Sequence, residues 1–245
     1  MFNRVKQGAQ QAAGKAFLRL SAPNQRGIIL GLDIRNSLNG QPALIFDVGA
    51  HRGESLDEFT KWFPQARVHC FEPSSDAFAA LRRRAARNPR VTCVNVALGD
   101  AAGEATLYIR LGTDNNSLSD YSGQHKLEEV LSTEIVAVDT LDSYASAHGI
   151  RRIDLLKIDT EGLDLKVLSG GRAMFDSQSI GIVQVEAAMS PENTKHVARQ
   201  EFEEFFEKYR YRLFGIYDQV EEWPTSRPFL RRSNLVFISP KLAMI

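Results

Sequence analysis

Apolar residues in this chain follow two rhythms that take turns. Short continuous runs alternate with longer stretches in which apolar positions recur every three or four residues. The run Ala43-Leu44-Ile45-Phe46 follows Gly40-Gln41-Pro42 and ends at Asp47-Val48-Gly49. It predicts a strand buried on both faces. A helical pattern comes next, with Leu56, Phe59 and Phe63 on one face, and Pro64 stops it. Arg67 to Phe71 predicts a second strand, ending at Glu72-Pro73. Ser74, Ser75 or Asp76 can cap the following helix, which bears Phe78, Leu81 and Ala85. Val91 to Val96 predicts a third strand. Strands and helices in this alternation specify a parallel sheet with right-handed crossovers.

The middle of the chain breaks the rhythm. Ala105 to Leu111 and Glu134 to Val138 read as strands with no regular helix between them. The polar segment from Gly112 to Lys126 reads as a loop, placed to cover an acceptor pocket. Alternation returns with a strand from Ile153 to Ile158, a short helix from Leu163 to Leu168 closed by Gly170-Gly171, and a strand from Gly181 to Val185. Ser190-Pro191 predicts the start of a longer helix carrying Val197, Phe202, Phe205 and Phe206. Arg212 to Tyr217 and Leu235 to Ser239 are late strands. The expected class is α/β: a mostly parallel, doubly wound, seven-stranded sheet with helices on both faces and an antiparallel late strand. Residues 1–40 read as an N-terminal helical flank or lid, and residues 41–245 as one domain.

Charge and cysteine content narrow the partners. Thirty basic and thirty acidic residues give a formal net charge of zero, so no global field recruits nucleic acid or an anionic membrane. Cys70 and Cys93 sit inside apolar runs and read as buried thiols; their spacing suits neither zinc nor a disulfide framework, which fits the cytoplasm. No stretch reaches the roughly 18 apolar residues of a spanning helix. Met1 to Leu20 lacks the apolar core of a signal peptide and reads as a weakly amphipathic helix. Packing on the domain is expected of it, with weak peripheral membrane contact as the alternative. Arg82-Arg83-Arg84 with Arg87 reads as a solvated helix face, and Arg231-Arg232 as a pair that could flank a phosphate-bearing acceptor. No pattern fixes the oligomeric state, and a dimer stays open.

Candidate chemistry lies at the carboxyl ends of the strands, where open α/β sheets bind ligands. Asp47-Val48-Gly49-Ala50-His51-Arg52-Gly53 follows the first strand, and its glycines let the backbone turn tightly beside a ligand. Glu72 ends the second strand, where a carboxylate can accept the ribose hydroxyls of an adenosine ligand. The dinucleotide pattern is incomplete, because His51 stands where its middle glycine would be. A pyrophosphate needs that close approach; a sulfonium ligand does not. Asp159, Glu161 and Glu186 fall at later strand ends, where one carboxylate could act as a base on a hydroxyl, or the three could hold a divalent cation. Lys157 reads as a counter-charge. His51 and His196 are the other base candidates, with His196 expected on a solvated helix.

The loop from Asp47 to Gly53 and the pair Glu72-Pro73 resemble the FkbM family of methyltransferases. So do Asn95-Val96-Ala97-Leu98-Gly99-Asp100, Asn116-Ser117-Leu118, Val138-Asp139-Thr140-Leu141-Asp142, the stretch Asp154 to Gly162, and Val185-Glu186. The match runs in order over roughly residues 43 to 190. The resemblance implies a Rossmann-like methyltransferase fold over residues 41–245, S-adenosylmethionine as cofactor, and O-methyl transfer to a sugar or other small molecule. It assigns Asp47, Gly49, Ala50, His51 and Gly53 to the methionine half of the cofactor. Glu72 and Pro73 fall at the ribose, Asn95 and Ala97 near the adenine, and Asp159 beside the cofactor. One departure is Glu161-Gly162-Leu163-Asp164 where the family often has Glu-Gly-Ala-Glu, so a direct role for Asp164 is in doubt. Two other classes compete: a nicotinamide-dependent oxidoreductase and a non-catalytic cofactor-binding protein. The first lacks a Tyr-x-x-x-Lys pair, since His148 follows Tyr144 at that spacing. The second has no use for acids at three strand ends.

Overall fold

The computed structural model describes residues 27–37, 41–110, 116–118, 130–221 and 228–243. The helix expected over residues 1–20 and most of the loop expected over residues 112–126 lie outside the described residues. In chain order the first elements are α1 (Leu30–Ser37), β1 (Leu44–Val48), α2 (Glu54–Trp62), β2 (Arg67–Phe71), α3 (Ser75–Ala85) and β3 (Val91–Val94). Then come β4 (Ala97–Gly99), β5 (Gly103–Arg110), β6 (Val130–Thr140), α4 (Leu141–Ala147) and β7 (Ile153–Ile158). The last are α5 (Asp164–Ser169), α6 (Arg172–Asp176), β8 (Ile180–Ala188), α7 (Arg199–Lys208), β9 (Arg212–Glu221), β10 (Leu230–Ile238) and α8 (Pro240–Ala243).

Seven strands form the main sheet in the order β3-β2-β1-β7-β8-β10-β9. The strands from β3 to β8 are parallel, and β10 runs antiparallel to both β8 and β9. Strand order reverses between β1 and β7, which opens a crevice beyond their carboxyl ends. Alternation along the strands buries both faces. Ile45, Val68, Leu155, Ile182 and Val236 meet Ile34 of α1, Phe59 of α2 and Leu81 of α3. Phe46, Phe71, Leu156, Val183 and Phe237 meet Tyr144 of α4, Val167 of α5, Phe175 of α6, and Phe202 and Phe206 of α7. The aromatic residues of α7 are thus core. Buried Asp33 of α1 accepts hydrogen bonds from the Tyr217 hydroxyl at 3.0 Å and from the Gly27 N–H at 2.9 Å, which ties the helix to β9. No helix among the described residues is long and apolar enough to cross a membrane.

Several elements depart from the pattern. The third strand ends at Val94, two residues early, because the Asn95 amide turns back to donate to the carbonyls of Glu72 and Pro73, both at 2.9 Å. The chain then leaves the main sheet. β4, β5 and β6 build a second sheet in the order β4-β6-β5. The expected helix at Ser190-Pro191 starts only at Arg199. Asn193 Oδ1 accepts from the N–H groups of Lys195 and His196 at 3.3 and 3.4 Å, an alternative to helical bonding. A single bridge between Ala188 and Ala198 keeps this segment against β8. Cys70 is buried as expected, while Cys93 is half-buried.

Candidate active site

Two loops join at the head of the crevice. Gly49 and Ala50 donate their N–H groups to the Phe71 carbonyl, both at 3.0 Å, and Asp159 donates to Val48 at 3.0 Å. Gly49 has φ 76°, and a Cβ placed on it would lie 1.9 Å from the Asp159 carbonyl oxygen. Only glycine fits there. His51 adopts φ 47°, and its N–H donates to Glu72 Oε2 at 2.8 Å. Glu72 Oε1 accepts from the Ser74 N–H at 2.8 Å. Burial pushes the Glu72 carboxyl above its ordinary range, against the pull of these N–H groups.

A cleft of about 300 Å³ opens over this junction. Gly49, Ala50 and His51 form its floor and Glu72 and Pro73 one side. Val96, Ala97 and Leu98 with Leu107 of β5 make an apolar wall, and Asn116, Ser117 and Leu118 also reach it. Lys157, Asp159, Thr160 and Glu161 close the side toward β7. Four residues expected at the ligand stand behind the lining. Asp47 is fully buried next to Lys157, Gly53 begins α2 against Arg84 and Leu81, Asn95 braces the Glu72-Pro73 backbone, and Glu186 lies deeper.

Lys157 is the counter-charge expected of it. Its Nζ lies 3.2 Å from Asp159 Oδ2 and 3.4 Å from Asp47 Oδ1. Burial alone would lower its pKa, but the two carboxylates outweigh burial and hold it above the lysine range. Asp159, whose charge burial opposes, is kept below the ordinary carboxylate range by Lys157. Asp47 is raised by burial, and Lys157 only partly offsets this. Asp159 does not cap α5, whose N-cap is Leu163. Asp164 is buried outside the cleft lining, accepts from Thr160 Oγ1 at 3.2 Å, and is pushed up to about 7 by burial and by Asp159.

A second charge cluster adjoins the cleft through Glu161. Lys195 Nζ approaches Glu161 Oε2 at 2.9 Å, with His196 Nε2 at 3.7 Å from the same oxygen. His196 Nε2 also lies 2.8 Å from Glu186 Oε2, and Arg232 pairs with Glu186 Oε1. Burial raises the Glu161 pKa, opposed by Lys195. Two expectations change here. His196 is partly buried in a bend instead of solvated on a helix, and Glu186 lies inside β8, opposite Asn234 of β10, instead of at a strand end. Lys195 and Arg232 were not expected at the acids. For Lys195 the available signal was Asn193, a residue type that favours turns over helix interiors, two positions before it; Arg232 left no local signal. The expected option of a divalent cation at Asp159, Glu161 and Glu186 is not built. Among the described residues no three His, Cys, Asp or Glu side chains group as metal ligands, and each of these acids faces a cation of the chain itself.

The strand order, with its antiparallel last pair, is that of the Rossmann-like methyltransferase fold. Residues 47–213 match the methyltransferase FkbM domain, and the chain belongs to that family of methyltransferases. It is similar to the 2-O-methyltransferase NoeI of Sinorhizobium fredii, 27% identical over 139 residues, covering 53% of this chain and 57% of that one. It is also similar to part of the AMB antimetabolite synthetase AmbE of Pseudomonas aeruginosa, 29% identical over 164 residues, covering 52% of this chain and 8% of the synthetase. The chain thus spans little more than half of the first relative and a small part of the second. Among solved structures, TrmK of M. capricolum with S-adenosyl-homocysteine aligns at 8% identity and a TM-score of 0.48, over 86% of this chain and 67% of that chain.

Proposed function

We propose that this chain transfers a methyl group from S-adenosylmethionine to a hydroxyl of a sugar or glycoconjugate, with Glu161 taking the hydroxyl proton. The observation that carries this reading is Glu161 itself, a partly buried carboxylate with a raised pKa that lines the same cleft as Glu72. The donor supplies a methyl group already activated by positive sulfur, so the protein's work is to align, exclude water and accept a proton. The cleft's mixture of an apolar wall and a carboxylate suits a nucleoside without a pyrophosphate. Glu72 accepts from the ribose hydroxyls with the lone pairs its two backbone N–H bonds leave over. Ala97 and Leu98 pack beside the adenine, and Gly49 to His51 receive the methionine half. Asp159, held ionised by Lys157, complements positive charge. Glu186 is a poorer candidate than Glu161, since it does not line the cleft. The 2-O-methyl transfer in the name of the Sinorhizobium relative supports a hydroxyl acceptor.

Calorimetric titration with S-adenosylmethionine and with NAD, followed by mass spectrometry of a glycan panel, tests the reading. Binding of the first ligand alone is expected, with a gain of one methyl group on an acceptor. Glu161→Gln should bind the cofactor and lose about 10²–10⁴-fold in turnover. Binding of NAD alone, or wild-type turnover in Glu161→Gln, overturns it.

A further inference from the structure

Glu161 stands on a left-handed backbone, φ 54°, a conformation that a non-glycine residue keeps only when its surroundings hold it. Part of that hold comes from two consecutive residues that address one oxygen, Oε2: Lys195 at 2.9 Å and His196 at 3.7 Å. The imidazole of His196 is itself oriented from behind. Asn193 is buried, and its Nδ2 donates to the Arg231 carbonyl at 3.1 Å, which fixes which end of the amide faces where. Asn193 Oδ1 then lies 3.1 Å from His196 Nδ1. An amide oxygen only accepts, so Nδ1 carries a hydrogen. Nε2 is left as the nitrogen that gains and loses a proton, and it faces Glu186 at 2.8 Å and Glu161 at 3.7 Å.

We propose that His196 is a positioning residue for Glu161, its Nε2 fixing the Glu161 carboxylate and tuning how readily that carboxylate holds a proton. A protonated Nε2 favours ionised Glu161, the form able to accept a proton from a hydroxyl. When Glu161 takes that proton, its share of the attraction is lost, Glu186 still faces Nε2 at 2.8 Å, and the imidazole yields its own proton more easily. The groups that act on His196 come from every element around it: Glu161 and Asp159 from the loop after β7, Asp164 from α5, Lys195 beside it, and Glu186 of β8, itself paired with Arg232 of β10. Burial lowers the His196 pKa, and Glu161 is the foremost group opposing burial. Burial prevails, and how far the carboxylates offset it sets how readily Nε2 is charged.

The proposal rests on Glu161 as the proton acceptor, but its test needs no acceptor substrate, so the two can fail separately. The full chain is labelled with ¹³C at glutamate carboxyls and ¹⁵N in imidazole, and NMR follows both through a pH titration. At high pH the ¹⁵N shifts of His196 should show the Nδ1–H tautomer. His196→Gln should raise the Glu161 midpoint by about one unit or more, as expected for losing a charge within about 4–6 Å. Glu161→Gln should lower the His196 midpoint by the same amount, because coupling between two sites is reciprocal. An Nε2–H tautomer, or midpoints that stay put in the partner's variant, overturns the proposal. If His196→Gln fails to fold, the tautomer and the Glu161→Gln titration decide alone.

Discussion

The His51 N–H and the Glu72 carboxylate are joined at 2.8 Å, so the loop after β1 and the acid after β2 move as one unit. Glu72→Gln would turn an amide N–H₂ toward one of two backbone donors, those of His51 and Ser74. We expect affinity for S-adenosylhomocysteine to fall by roughly 1.5–3 kcal/mol, the worth of a hydrogen bond to a charged group. Calorimetry reads this directly. Unchanged affinity removes Glu72 from the ligand.

Gly49→Ala tests the junction between β1 and β7. The new methyl group meets the Asp159 carbonyl at 1.9 Å, and alanine pays for a positive φ besides. The cost should be at least about 1–3 kcal/mol from the backbone alone. Thermal unfolding should show a lower midpoint and no rescue by S-adenosylhomocysteine. A stable variant that still binds would mean that the two strand ends separate easily.

Asn95→Ala asks whether a residue behind the cleft acts through its neighbour. The lost amide frees the carbonyls of Glu72 and Pro73. Each such bond contributes about 0.5–1.5 kcal/mol net, so cofactor affinity should weaken by roughly tenfold while the fold survives. Equal affinity in variant and wild type would make Asn95 a strand-ending device only.

Asp164 predicts a pH dependence of stability. Its folded pKa of about 7 lies above the unfolded value of 3.8, so the folded chain binds this proton more tightly. That contribution is complete below the unfolded value and is lost as pH rises through about 7. Within this window one group lowers stability by at most about 1.4 kcal/mol per pH unit. Asp164→Asn should therefore gain most in urea midpoint over wild type at and above pH about 7, with the gain shrinking as pH falls toward 3.8. A gain that does not change with pH would assign Asp164 an ordinary pKa.

The strands of the main sheet were legible because burial on both faces writes itself as continuous apolar runs, as in Leu44-Ile45-Phe46. The glycine loop and Glu72 were legible for a related reason: positions beyond strand ends are set by topology. The second sheet was not, since β5 and β6 read as strands whichever sheet they join. What redirects the chain there is one side-chain amide, Asn95, reaching 23 residues back to Glu72. The turn holding His196 was hidden in the same way. Its aromatic neighbours continue at helical spacing into α7, and local side-chain bonding by Asn193 wins only because β10 presents the Arg231 carbonyl to it. Long-range partners of short polar side chains leave no periodic trace in a sequence.

The pairing of β1 with β7 has a consequence for how the protein is made. The N–H of Leu44 donates to Asp154 Oδ2 across 110 positions of sequence, and at the other end of the same strand pair Gly49 packs on Asp159. The floor of the cleft is therefore split between an early and a late part of the chain. During synthesis the glycine loop leaves the ribosome long before the strand that completes it. A nascent chain that ends before β7 exposes the inner edge of β1, with its row of unpaired backbone groups, to whatever strand is near. Pairings this distant are also slow to form. Competence to bind a nucleoside should arrive late and all at once, and chaperones have most to guard in the interval before β7 emerges.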